Sequence, residues 1–424
     1  MAHRFNTLAL HGGIHTDDTG SRAVPVHRTA AYLFKNTAHA ADLFALKELG
    51  NIYTRLQNPT QDVLEQRVAA LENGAAALAV SSGTAAIFYT IINVCGQGDE
   101  VVSTANLYGG TFTMFQNMLP EMGITVKFVR PENGEDVESA ITDKTRLMFT
   151  EAIGNPSLDV PDIKKMADLA SKHNIPLAVD ATFTTPYLFR PIDHGADIVI
   201  HSLTKWMGGH GTALGGIVVD AGKFDWTDPK FRLYNEPDPS YHDLRYAHDL
   251  GDLSPIAFIL RMRVVPLRNL GACISPDNAW LILQGIETLG LRMDAHCRNA
   301  LEVARFLRDH DQVSWVRYPG LKTDPSHDLA RTLFENGFGG MVVFGTRTGR
   351  PGGQRFIDSL KLVSHLANVG DAKTLAIHPA STTHSQLTDQ ELVTAGVSGD
   401  MVRLSVGFED IHDILEDIDQ ALNH

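Results

Sequence analysis

The feature of this 424-residue sequence that most constrains its fold is a series of short apolar runs between residues 75 and 220. Helix-like stretches separate many of them. Brief strands joined by crossover helices predict a mostly parallel sheet with helices on both faces, so the chain is expected to be α/β. The runs are AAALAV (75–80), EVVST (100–104), TVKFV (125–129), RLMFT (146–150), PLAVD (176–180), ADIVIHS (196–202) and GGIVVD (215–220), and the predicted helices are 83–94, 109–122, 135–141 and 161–173.

The regions on either side of this segment have other patterns. Residues 1–60 show little periodicity and predict an extended N-terminal arm, wrapped on a partner subunit. A helix is expected from Thr60 until Gly74 stops it. It begins a large domain, 61–275, whose last part (about 221–275) is rich in proline and predicts a loop-rich insertion.

The C-terminal region, 276–424, is expected to form a smaller α/β domain. It opens with a long helix at about 277–310, for which a kink is expected near Gly285 or Gly290. The strands VSWVRY, GMVVFG and MVRLSV then alternate with helices at 355–366 and 411–422.

Bulk properties exclude several classes of protein. A formal net charge of −14 argues against nucleic-acid binding, which needs clustered Lys and Arg. Three cysteines are too few for a disulfide framework or a Cys-rich zinc site, and they are expected to be reduced in apolar surroundings. The first residues contain no secretory signal, and SSGT interrupts the most apolar stretch, 75–95. These features predict a cytoplasmic protein without a membrane span or a metal site.

The strongest local motif is HSLTKWMGGHG, 201–211, at the end of a predicted strand. It places Lys205 where such a sheet presents ligands, with the hydroxyls of Ser202 and Thr204 on either side. A lysine that forms a Schiff base must be partly desolvated, which lowers its pKa and frees the amine for attack. Alternatively, Lys205 is a solvated loop residue.

Asp180 ends the apolar strand of PLAVDATFTTP, 176–186. A buried carboxylate needs a partner, and a protonated pyridine nitrogen supplies one and keeps the ring an electron sink. This pairing points to pyridoxal 5′-phosphate (PLP) as cofactor. Helix capping or metal ligation are the other interpretations of Asp180.

Two further segments are suited to an anion, which for the first of them would be a phosphate. In VSSGTAAIF, 80–88, the amides of Gly83 and Thr84 form an anion cup at a helix N-terminus, unless Ser82 is only an ordinary N-cap. In NIYTRLQNPT, 51–60, Tyr53 and Arg55 project to one side of an extended segment, or are simply surface residues. Neither segment has the glycine pattern of a nucleotide-binding loop.

Two more residues fit an amino-acid substrate on a flat cofactor. Tyr108 in ANLYGGTF follows a strand and can stack on such a ring, although a core tyrosine is an equal alternative. Arg403 lies in the apolar strand of MVRLSVGFED, where its guanidinium fork matches an α-carboxylate or a structural carboxylate partner.

The order of these motifs, together with GNP at 154–156, resembles the Cys/Met-metabolism family of PLP enzymes from about Thr7 to Phe408. The resemblance implies the aspartate-aminotransferase fold (PLP fold type I) and a homodimer or, more usually, a homotetramer with shared active sites. It implies that Lys205 carries PLP as a Schiff base, that Asp180 pairs with the pyridine nitrogen and that Tyr108 stacks on the ring. The implied ligands of the cofactor phosphate are Ser82, Gly83, Thr84, Ser202, Thr204 and the neighbouring subunit's copies of Tyr53 and Arg55. The implied ligands of the substrate carboxylate are Asn155 and Arg403, assisted by Ser381 or by the backbone of Asn368 and Val369.

Within the family the chain is most similar to O-acetylhomoserine sulfhydrylases, through HGGIHTDDTGSRAVPV (11–26), PDPSYHD (237–243), NVGDAKTL (368–375) and HPASTTHSQL (378–387). One departure is Thr84, where those enzymes often have Gln. The resemblance implies γ-replacement of acetate by sulfide or methanethiol. A degradative γ-lyase, which uses the same residues, and a non-catalytic binding protein of the same fold are the alternatives.

Overall fold

The structure is a computed structural model that describes residues 3–15, 18–133, 135–383, 385 and 396–424. Parts of two motifs quoted above, at 16–17 and at 384 and 386–387, lie outside the described residues. Two β-sheets organise the described chain. The larger contains β1–β7, at Ala76–Val80, Glu100–Thr104, Thr125–Val129, Thr145–Glu151, Leu177–Asp180, Ile198–His201 and Gly216–Asp220.

The large sheet has the order β1-β7-β6-β5-β4-β2-β3. Strand β7 runs antiparallel to both β1 and β6, and the remaining neighbours are parallel. Glu151 at the end of β4 is in register with Asp180 at the end of β5. The sheet is therefore mostly parallel, as predicted, and it brings several strand ends to one edge.

Helices cover both faces of the large sheet. Alternate residues of β5 pack into different clusters, with Leu177 and Val179 in one core and Ala178 in the other. The α-helices, numbered α1–α16 in chain order, are Phe5–His11, Thr37–Phe44, Pro59–Leu71, Gly83–Val94, Gly109–Thr113, Leu119–Glu121, Ile163–Lys172, Thr185–Leu188, Arg232–Asn235, Ala257–Met262, Arg268–Leu270, Pro276–Glu287, Leu289–Asp309, His327–Leu333, Gly349–Ser359 and Ile411–Leu422. Single π-helical turns join α5 to α6 and α10 to α11.

The smaller sheet contains β8–β12 in the order β10-β11-β12-β9-β8. Its strands are Val313–Arg317, Met341–Thr346, Ser364–His365, Leu375–Ile377 and Met401–Ser405. It has its own apolar cluster, to which α13 and α16 contribute Val303, Leu307 and Ile418. The predicted smaller α/β unit after residue 276 is present, whereas the exact domain boundaries stay a prediction.

Four predicted elements differ from the structure. The arm 1–60 is not wholly extended, since it contains α1 and α2. The helix predicted at 135–141 is only a 3₁₀ turn at Glu138–Ala140. The helix predicted at 355–366 begins earlier and ends at Ser359, and a strand follows it.

The fourth difference concerns the long helix predicted at 277–310. It is two helices, α12 and α13, with Thr288 between them. Thr288 ends α12 because its side chain hydroxyl and amide are directed back toward Gly285 O. Across the described ranges, no helix combines the length and apolar character that a bilayer crossing requires.

Candidate active site

A cavity of about 210 Å³ opens at the carboxyl ends of β4, β5 and β6. It lies where parallel sheets present ligands. Its walls come from both sheets, since Arg403 lies on β12. The lining residues are Ser82, Gly83, Thr84, Ile87, Tyr108, Glu151, Ile153, Asn155, Asp180, Thr182, Phe183, Ser202, Thr204, Lys205, Leu214, Ala367, Asn368, Val369 and Arg403.

Lys205 enters this cavity from the turn that follows β6. Its Nζ donates to Asn368 Oδ1 at 2.6 Å. Desolvation, and secondarily the nearby charge of Arg403, lower the pKa of Lys205 to about 8. A substantial fraction of the amine is therefore neutral near pH 8, as a nucleophilic lysine requires.

Asp180 is buried at the end of β5, with 9% of its surface exposed. Thr182 N donates to its Oδ1 at 2.9 Å. Burial raises the pKa of Asp180 above its usual range, and within the described residues no Lys or Arg forms an ion pair with it. The site thus holds a buried carboxylate that a cationic ligand would stabilise.

Glu151 is a cavity residue that the sequence analysis missed. It is only 6% exposed, and its Oε1 accepts a hydrogen bond from Tyr108 N at 2.7 Å. Burial and the neighbouring Asp180 raise the pKa of Glu151 well above the usual value. Its position at the end of β4, next to a strand that also ends in an acid, is the pattern that could have revealed it.

The N-terminus of α4 forms one end of the cavity. Ser82 Oγ accepts a hydrogen bond from Ala85 N at 3.1 Å, and the first amides of a helix lack intrahelical acceptors. A Cβ atom at Gly83 would lie 2.6 Å from Ser202 Cβ, so only glycine allows this approach of α4 to the Lys205 segment. The result is a polar cup, flanked by Ser202 and Thr204, that fits a phosphate.

Arg403 and Asn155 form the opposite side of the cavity. Arg403 Nη1 donates to Asn155 Oδ1 at 3.0 Å. Burial lowers the pKa of Arg403 to about 10, while the nearby Tyr108 acts in the opposite direction. No acidic side chain of the described residues pairs with this guanidinium, so it is available to a carboxylate ligand.

Three predicted site residues lie elsewhere in the subunit. Tyr53 is 43% exposed, and the Arg55 guanidinium lies 5.5 Å from its ring centroid. Arg55 also donates to Arg268 O. Ser381 Oγ accepts from Gln354 Nε2 at 2.9 Å and does not line the cavity.

The cavity residues fit PLP on three independent counts. The buried carboxylate of Asp180 suits a cationic ring nitrogen, the α4 cup suits the phosphate, and the partly neutral Lys205 suits an aldehyde. Among the described residues, no cluster of three His, Cys, Asp or Glu side chains could hold a metal ion.

The family model for Cys/Met metabolism PLP-dependent enzymes matches residues 6–423. The chain belongs to this family. Its cofactor is accordingly PLP, and its fold is that of the family's enzymes, PLP fold type I.

Individual relatives are similar to this protein over nearly their whole length. The O-acetyl-L-homoserine sulfhydrylase of Leptospira meyeri is 52% identical, over 99% of this chain and 96% of its own. The O-acetyl-L-homoserine sulfhydrylase 1 of Thermus thermophilus is 50% identical, over 99% and 100%. A crystal structure of a putative O-acetylhomoserine (thiol)-lyase from Campylobacter jejuni covers 100% of both chains, with 41% identity and a TM-score of 0.95. That structure contains N′-pyridoxyl-lysine-5′-monophosphate at position 205.

Proposed function

We infer that this chain is a PLP-dependent O-acetylhomoserine sulfhydrylase. It replaces the acetate of O-acetyl-L-homoserine with sulfide, giving L-homocysteine, or with methanethiol, giving methionine. The observation that carries this inference is the convergence of Lys205, Asp180 and Arg403 on one cavity, in a chain about half identical to sulfhydrylases throughout its length.

The substrate is oriented by its carboxylate. We propose that Arg403 binds it through two charge-assisted hydrogen bonds, with Asn155 holding the guanidinium in place. This directs the substrate amine and Cα toward Lys205, on the other side of the cavity. Asn368, whose side chain accepts from Lys205 Nζ, would hold the lysine in the cavity before PLP binds.

Lys205 is proposed to move the protons. PLP, when bound, withdraws electrons from the substrate, which makes loss of the Cα and Cβ protons feasible. Lys205 Nζ takes the Cα proton and returns one at the end of turnover. Its lowered pKa, about 8, suits both directions near neutral pH.

The remaining groups act on the cofactor and on the leaving group. When PLP is bound, Asp180 would keep its pyridine nitrogen protonated, and the α4 cup with Ser202 and Thr204 would hold its phosphate. Tyr108, whose main-chain amide donates to Glu151, would cover the ring and assist protonation. Loss of the Cβ proton supplies the electron pair that expels acetate as the Cγ–O bond breaks. The sulfur of hydrosulfide then forms the new bond to Cγ, and a proton returns to Cβ before the last one returns to Cα.

We also propose a homotetramer in which the arms of neighbouring subunits complete each site. Tyr53 and Arg55 lie outside their own subunit's cavity, and Leu33 in the same arm is 99% exposed. The arm 1–60, the large domain 61–275 and the small domain 276–424 are the proposed units. Three free cysteines fit the reducing cytoplasm.

The test is an assay of the purified holoenzyme with O-acetylhomoserine and either sulfide or methanethiol. We expect homocysteine or methionine and an equal amount of acetate, with little ketoacid. Lys205→Ala should nearly abolish turnover, whereas Lys164→Ala, at an exposed ion pair on α7, should not. Ketoacid release from methionine or homocysteine as the main activity would instead identify a γ-lyase.

A further inference from the structure

Helix α13 carries three buried polar side chains that the proposed reaction does not use, Arg292, His296 and Asn299. They are four and three residues apart, so they lie on one face of the helix. Among the described residues none of them pairs with a carboxylate. Each is hydrogen-bonded to main-chain carbonyl groups instead. We call these three residues the α13 polar face.

Arg292 holds the turn that follows Lys205. Its Nη1 donates to Trp206 O at 2.7 Å, and its Nη2 donates to Met207 O at 3.2 Å and to Gly285 O at 2.7 Å. The last carbonyls of a helical turn have no intrahelical donors, so the guanidinium supplies what the turn lacks. Burial lowers the pKa of Arg292 to about 10, because desolvation disfavours the charged form.

Glycines let this turn and Arg292 approach closely. Gly209 has φ +73°, and a Cβ atom there would lie 2.1 Å from Arg292 Nη1. A Cβ atom at Gly285 would lie 2.2 Å from Gly208 O. The turn after Lys205 is therefore packed between α12 and α13, where an added side-chain atom at Gly209 would displace the Arg292 guanidinium and one at Gly285 would meet the main chain of the turn.

His296 and Asn299 hold the segment that follows Arg403. His296 Nδ1 lies 2.7 Å from Val406 O, and since a carbonyl only accepts, this nitrogen carries the proton. Asn299 Nδ2 donates to Gly407 O at 3.2 Å and to Glu409 O at 3.0 Å. One face of α13 is thus hydrogen-bonded both to the turn that follows Lys205 and to the segment that follows Arg403.

The segment around Arg403 and the turn after Lys205 are also linked near the cavity, through Gly370. Ser405 Oγ, two residues after Arg403, accepts a hydrogen bond from Gly370 N at 2.8 Å. A Cβ atom at Gly370 would lie 2.5 Å from Trp206 N and 2.9 Å from Lys205 C. The β12 segment and the Lys205 turn are therefore joined both by α13 and by this packed glycine.

We propose that the α13 polar face is a positioning element that fixes the spacing between Lys205 and Arg403. The proposal rests on the proposed function, in which these two residues hold the cofactor and the substrate carboxylate. Arg292 would set the position of Lys205, and His296 with Asn299 would set the position of Arg403. A misplacement of about 1 Å in such a pair lowers turnover by ~100-fold.

The experiment compares Arg292→Met, Arg292→Lys and Asn299→Leu with Arg305→Met, a control on the exposed side of the same helix. The first readout needs no turnover: the apoprotein is mixed with PLP and borohydride, and the labelling rate of Lys205 is followed against pH by peptide mass spectrometry. The second readout is the KM for O-acetylhomoserine, together with kcat and the unfolding midpoint.

Both Arg292 variants should raise the labelling midpoint above the value of about 8 expected for the wild type, because a loosened turn exposes Lys205 to water. Arg292→Lys should not restore the wild-type midpoint, since one ammonium group cannot replace the guanidinium's hydrogen bonds to three main-chain carbonyls. Asn299→Leu should raise KM and leave Lys205 labelling unchanged. Arg305→Met should match the wild type in every readout.

Two results would overturn the proposal. Arg292→Lys with wild-type labelling and kcat would assign Arg292 a charge effect only. Asn299→Leu with an unchanged KM would remove the link to Arg403. If Arg292→Met fails to fold, the other two variants decide the question. Wild-type protein that is not labelled at Lys205 would instead contradict the proposed function.

Discussion

The proposed role of Arg403 gives a prediction with a definite magnitude. In Arg403→Met the substrate carboxylate loses two hydrogen bonds to a buried guanidinium. Hydrogen bonds to charged groups are worth about 1.5–3 kcal/mol each. Since about 1.4 kcal/mol corresponds to a factor of ten, kcat/KM should fall by ~10²–10⁴-fold, mainly through KM. Arg403→Lys keeps the positive charge but can make only one of the two hydrogen bonds. Its kcat/KM should therefore fall by the equivalent of one such bond, about 1.5–3 kcal/mol.

The assay is steady-state homocysteine formation over a range of O-acetylhomoserine concentrations. PLP affinity, measured on the apoprotein, should stay within about threefold of wild type, because Arg403 lies on the substrate side of the cavity. Arg305→Met is again a matched control at an exposed position. An Arg403→Met enzyme with wild-type KM would refute the assignment of the carboxylate to this side of the cavity.

Three more predictions concern the cofactor side. The rate at which Lys205 of the apoprotein reacts with PLP should increase with pH, with a midpoint at about pH 8, because only the neutral amine reacts. A midpoint near the ordinary lysine pKa would show that the amine is solvated. Asp180→Asn should lower kcat by ~10²–10³-fold and change the visible spectrum of the bound cofactor, and an unchanged spectrum and kcat would place the ring nitrogen elsewhere. Gly83→Ala should lower the unfolding free energy by about 1–3 kcal/mol and weaken PLP binding, because the added Cβ would lie 2.6 Å from Ser202 Cβ. Calorimetry measures the first effect and a PLP titration the second, and an unchanged PLP affinity would exclude the α4 cup as the phosphate site.

The sequence predicted the large sheet well because its strands are buried on both faces. Runs such as AAALAV are apolar at every position, and the helices between the strands begin at recognisable caps such as Ser82 and Asp162. The strand ends then placed Lys205 and Asp180 at one edge without knowledge of any long-range contact. Local pattern and topology rules were sufficient there.

The errors arose where tertiary contacts override local propensity. The helix α15 begins at Gly349 in a segment rich in glycine and proline, because Gly352 allows close approach to Thr346 and Thr348. The N-terminal α1 lacks a capping side chain, and it is held by packing such as the ring contact of Phe5 with Tyr187. Neither contact is visible in the local sequence.

The site residues show the same division. The sequence predicts the cavity residues that directly follow a predicted strand, but it does not predict Glu151, because the apolar run RLMFT ends one residue earlier, at Thr150. Ser381 was chosen from its motif alone, and its partner Gln354 lies on a different element. The sequence predicts the α13 polar face only as part of a helix, because most of its partners are main-chain carbonyls distant in sequence.

The most direct test of the account is to locate the lysine that carries the cofactor. The purified holoenzyme is reduced with borohydride and digested, and the pyridoxyl-peptides are identified by mass spectrometry. The account predicts one modified lysine, in the peptide that contains SLTKWMGGHG. Modification of any other lysine, or a protein that takes up no PLP, would contradict it.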